Sequence, residues 1–62
     1  MPDEKQIIAM ADKIRILRQT ATELKQISYN IQTVGRNVDR ILAGIKMLEL
    51  NISDVPGLEN QS

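Results

Sequence analysis

The chain has no cysteine, histidine, tryptophan or phenylalanine, and Tyr29 is its single aromatic residue. Without cysteine there is no disulfide framework. Without cysteine and histidine the usual zinc, haem and iron–sulfur ligand sets are missing, and so are the Ser–His and Cys–His pairs of nucleophilic catalysis. No cofactor, metal site or catalytic residue is expected, and the chain is not expected to be an enzyme. A lone tyrosine is also a poor platform for stacking bases.

Neither sign of charge is in excess, with 8 Lys+Arg against 8 Asp+Glu, so long-range attraction to phosphates is weak. Nucleic acid is therefore the least favoured partner, although Lys13, Arg15, Arg18 and Lys25 tilt the first half slightly basic. Long apolar runs are absent too. The longest, Ile7 to Ala11, is five residues, whereas a membrane-spanning helix needs roughly 20. The expectation is a soluble, cytoplasmic chain with no membrane span.

A chain of 62 residues buries only about 60% of the surface its unfolded form exposes, and the core of such a monomer is marginal. With disulfides and metals missing, association with another chain is the remaining supplement.

Proline stands only at Pro2 and Pro56, so nothing between Asp3 and Val55 interrupts a helix on proline grounds. Asp3 reads as an N-cap, with Glu4 complementing the helix dipole and Gln6 three residues on. Val55-Pro56-Gly57 ends the helical pattern. Residues 53–62 are expected to form a flexible tail behind a helical segment that spans 1–52.

Between these stops the apolar residues fall in heptad rhythm. Ile7, Met10, Ile14, Leu17, Ala21 and Leu24 alternate a and d positions; after a phase slip the pattern resumes at Ile27 and runs through Ile31, Val34, Val38, Ile41, Ile45, Leu48 and Ile52. All fourteen seam positions are apolar. The rhythm predicts an all-α chain whose seam is a surface for self-association.

Two topologies satisfy it. The continuous seam favours one long amphipathic helix over about residues 3–52, which can bury its stripe only in an oligomeric coiled coil or helical bundle. The alternative is a two-helix hairpin with its turn near 28–37, dimerising to a four-helix bundle. The stretch Ser28-Tyr29-Asn30 gives arms of similar length but lacks glycine and proline, the usual chemistry of a turn. Gly35 with Asn37 has better turn chemistry and leaves unequal arms.

Branched residues at the d positions Ile27, Val34 and Ile41 fit a parallel dimer poorly and favour more strands. Lys13 and Arg18 would meet as like charges in a parallel pair. The expected partner is the chain itself, as anything from dimer to tetramer in an antiparallel or bundle arrangement. Ile8, Ile16, Tyr29, Leu42, Met47 and Leu50 lie beside the stripe and form a candidate second interface, where a larger protein could dock against the helices. The expected function is that of a self-assembling structural or interaction module. A small regulator or chaperone-like protein that binds a larger partner is the alternative, and a nucleic-acid accessory ranks last.

Overall fold

The computed structural model describes residues 3–53. Helix α1 spans Glu4–Ile27 and helix α2 spans Gln32–Ser53, and the two pack on each other as a hairpin. The continuous helix expected over 3–52 is thereby corrected to the alternative topology.

Helix α1 begins where its capping chemistry places it. Asp3 is extended, and its Oδ1 accepts from the Gln6 backbone N–H at 2.7 Å. Its carbonyl accepts from the Ile7 N–H at 3.1 Å. One otherwise orphaned donor of the first turn is thus satisfied. Glu4 in the first turn and Lys25 in the last complement the helix dipole.

The chain breaks at Ser28 for a local reason. The Ser28 hydroxyl donates to the Lys25 carbonyl at 3.0 Å, and its own N–H donates to the Leu24 carbonyl at 3.0 Å. The hydroxyl bond is of the kind by which serine competes with continued helix, whereas the N–H bond is the last helical one of α1. Ser28 sits at φ −90°, ψ 21°, a sparsely populated region that does not call for glycine because φ is negative. The Ile31 N–H then donates to the Ser28 carbonyl at 2.8 Å, closing a tight turn. The Gly35 N–H donates to the Ile31 carbonyl at 3.2 Å, so Ile31 is the residue from which α2 starts. Gly35, the rival turn position, lies inside α2.

Ser53, assigned to the tail by sequence, is the last residue of α2, and its hydroxyl donates to the Glu49 carbonyl at 3.0 Å. The rest of the expected tail, with the stop at Pro56, lies outside the described residues.

The core is small and built from one heptad position. Ile14 and Ala21 of α1 meet Val38 and Ile45 of α2, with Val34, Leu42 and Ile52 packed around them. Val38 and Ile45 are 2% and 3% exposed. Burying each such aliphatic side chain is worth roughly 1.5 to 3 kcal/mol. Ile7 is buried as well, and the spacing of seven from Ile7 through Ile14 and Ala21 lands on Ser28, which is also buried. Its hydroxyl is satisfied by the Lys25 carbonyl, and no described buried side-chain polar atom lacks a partner.

Candidate interaction face

On a helix that turns about 100° per residue, the d position lies about 60° to one side of a, and e about 40° to the other. In the hairpin the a positions of both helices point at each other, so the two flanks differ in character.

The e flank is closed by charge. Arg18 and Glu49 are joined by two hydrogen bonds, Nε to Oε2 and Nη2 to Oε1, each 2.8 Å. This fork geometry is the strong form of a carboxylate–guanidinium contact. It holds Glu49 below its ordinary carboxylate range, first through the hydrogen bond from Arg18 against a smaller opposing effect of desolvation, with the charges of Arg18 and Lys46 adding to it. Arg18 is raised by the same hydrogen bond. Nearer the turn, Lys25 pairs with Asp39. Within α1, Arg15 pairs with Asp12 at 2.9 Å. Three of the four cations that gave the first half its basic tilt are therefore matched to carboxylates. Beside the Arg18–Glu49 pair lies a cavity of about 190 Å³ lined by Ala11, Ile14, Arg15 and Ile52, smaller than the roughly 300 Å³ at which ligand pockets begin.

The d flank is open and apolar. Leu17, Leu24, Ile41 and Leu48, together with Thr20, Ala21, Gly44 and Ile45, line a groove of about 550 Å³ between the helices. Thr20 carries the only polar side chain on that lining, so the groove lacks the convergent polar groups that fix a small ligand. The apolar surface continues toward the start of α1 in a second depression lined by Ala9, Met10, Ile14 and Leu48, with Lys13 at its edge. Leu17 and Ile41 remain 50% and 52% exposed.

Apart from the half-buried d residue Val34 and the exposed a residue Ile31, the fourteen seam residues divide by heptad position. Ile7, Ile14, Ala21, Val38 and Ile45 are buried, and Val34 and Ile52 are half-buried. Met10, Leu17, Leu24, Ile41 and Leu48 are exposed on the open flank, and Ile27 and Ile31 are exposed beside the turn. Of the candidate second interface, Leu42 is packed against the hairpin core. Ile8, Ile16, Tyr29, Met47 and Leu50 are exposed. Sequence reasoning missed the two cross-arm ion pairs and the buried Ser28. The spacing of seven from Ala21 was the available signal for Ser28; the ion pairs had none, since they depend on which arms face each other.

Among the described residues no three or more acidic side chains cluster as a metal site, and no helix is long and apolar enough to cross a membrane. No family model, no curated protein and no solved structure matches this chain.

Proposed function

We propose that the chain is a non-enzymatic, self-assembling helical module that acts through protein–protein contact, its copies covering one another's open apolar faces as an oligomeric bundle. A cytoplasmic setting belongs to the same reading. One observation carries it: the hairpin uses the a positions of its heptads internally and leaves Met10, Leu17, Leu24, Ile41 and Leu48 exposed along one face. Helices of a four-helix bundle contact two neighbours, one on each flank of the a/d stripe. This hairpin supplies one neighbour and leaves the other place unfilled. Scattered exposed aliphatic residues are ordinary on a protein surface, whereas a contiguous apolar groove marks a surface of interaction.

Light scattering of the wild type and of Ile41→Asp tests the reading. The wild type should have a mass that is a multiple of the 7.0 kDa chain. Ile41→Asp should lower both mass and helicity, because a buried unpaired carboxylate is costly. Arg15→Ala, which removes only an exposed pair, should change neither. A wild type that stays a folded monomer at micromolar concentration overturns the proposal.

Binding of a larger protein is the second reading. It is favoured by Ile8, Ile16, Met47 and Leu50, which are exposed and do not line the open groove. Helicity gained only on adding that partner would distinguish it.

A further inference from the structure

We propose that the tip of the hairpin is a contact site for the surface of an anionic lipid bilayer, into which Ile27, Tyr29 and Ile31 insert about the turn. None of the three lines the open groove between the helices, so the proposal does not rest on the self-assembly reading.

Apolar exposure is greatest at this end of the molecule. Tyr29 and Ile27 are 85% and 75% exposed, more than any other large apolar side chain among the described residues, and Ile31 is exposed as well. Residues 26–35 hold no charged side chain, and these ten residues are the longest uncharged stretch in the chain. A charged side chain is costly to carry into lipid, and the tip has none. Tyr29, with an apolar ring and a polar hydroxyl, is of the residue type enriched at the headgroup level of membranes.

The turn is also prepared for an apolar medium, where an unpaired backbone group is costly. The Ser28 N–H and hydroxyl donate to the Leu24 and Lys25 carbonyls, the Ile31 N–H donates to the Ser28 carbonyl, and the Gly35 N–H donates to the Ile31 carbonyl. Ser28 is buried beneath the turn, so its hydroxyl is not presented to the surface that the tip meets.

The order of charges behind the tip says which surface that is. On each arm the first charged residue back from the turn is a cation, Lys25 on α1 and Arg36 on α2, and the first acids, Glu23 and Asp39, lie farther back. At the helical rise both cations stand about 5 to 6 Å behind the turn, within the roughly 5–10 Å to which apolar side chains sink at a bilayer interface. Apolar side chains foremost, cations at the depth of lipid phosphates and acids outside that depth match an anionic headgroup layer. Lys25 shares its charge with Asp39, whereas Arg36 forms no ion pair among the described residues, so Arg36 supplies most of the attraction. A protein partner fits this tip less well. Three side chains fall far short of the roughly 20–30 residues that a standard protein interface uses on each side, and a bilayer needs no complementary shape.

The test uses the full chain and lipid vesicles. Because Tyr29 is the single aromatic residue, tyrosine emission reports the tip alone. Vesicles of phosphatidylcholine with about 30% phosphatidylserine should bind the chain in flotation and shield Tyr29 from acrylamide, and phosphatidylcholine alone should bind about fivefold more weakly, the effect of about one cation at an anionic surface. Ile27→Asp should lower partitioning about tenfold or more with helicity retained. Leu50→Asp, a change of the same kind at an exposed residue near the other end of the hairpin, should leave it unchanged. Arg36→Gln should bring binding to the anionic vesicles down to the level of phosphatidylcholine alone. Equal quenching of Tyr29 with and without anionic vesicles overturns the proposal. Equal losses in Ile27→Asp and Leu50→Asp overturn the tip as the site, and equal partitioning of the wild type to both kinds of vesicle overturns the role given to the cations.

Discussion

Arg18 and Glu49, 31 positions apart in the chain, are held together by two hydrogen bonds of 2.8 Å and tie the middle of α1 to the last turns of α2. They are the best-formed contact between the arms outside the aliphatic core. Lys25 and Asp39 form a second, single-bonded pair on the same flank nearer the turn.

That contact makes the hairpin sensitive to acid. Glu49 is held below its ordinary value of 4.5 by Arg18, so the folded form keeps its carboxylate charged where the unfolded chain takes up a proton. The contribution is present above the unfolded value and is lost as pH falls through the lowered folded one. Arg18, raised by the same contact, stays charged across this window and adds no pH dependence to it. Carboxyl-carbon NMR should give Glu49 a lower titration midpoint in the native chain than in urea. Arg18→Leu should move the native midpoint back toward the urea value, and an equal midpoint in both chains would contradict the contact.

Removing core volume should cost far more than removing exposed volume. Val38→Ala is expected to destabilise by about 2 kcal/mol and Ile45→Ala by about 2 to 5 kcal/mol, since a cavity is left behind. Ile8→Ala should stay within about 0.5 kcal/mol. Urea unfolding followed by circular dichroism, at fixed protein concentration because association adds to stability, measures all three. Equal midpoints for Val38→Ala and Ile8→Ala would remove Val38 from the core.

Much of this fold is legible in the sequence. Asp3 followed by Gln6 marks the start of α1, and an unbroken apolar rhythm marks both helices. The break is harder to see, because Ser28-Tyr29-Asn30 turns the chain without glycine or proline. The Ser28 hydroxyl bonds back to Lys25 at the break, a bond that many serines within helices make without ending them. Ile27 and Ile31 continue the apolar spacing through this point, which makes a straight helix read as the simpler solution. The division of the seam into a closed a row and an open d row depends on which face each helix turns to its neighbour. Heptad spacing names the stripe; only tertiary geometry says which half of it is covered.

The N-cap of α1 should be worth a measurable amount on its own. Asp3→Ala removes the acceptor of the 2.7 Å bond from Gln6 N–H and is expected to cost about 1 kcal/mol, whereas Asp3→Asn should cost only a few tenths. Amide hydrogen exchange at Gln6 and Ile7 localises the effect. Equal protection in Asp3→Ala and the wild type would show that α1 starts without help from the side chain.

The turn offers the sharpest test of how the hairpin is chosen. Replacing Ser28, Tyr29 and Asn30 with alanine removes the hydroxyl that bonds back to Lys25 and supplies three strong helix formers in its place. Local preference then favours one continuous helix from Glu4 to Ser53. The a residues of the two segments would lose each other within the chain and could meet again only between chains. Spin labels at Ile8 and Leu50, both exposed, report the outcome. In the wild type they should lie within about 25 Å of each other in one chain, and in the triple-alanine variant over about 60 Å at the helical rise of about 1.5 Å. If the short distance survives the substitution, burial of Val38 and Ile45 against Ile14 and Ala21 outweighs the local preference of the turn, and the hairpin is dictated by its core.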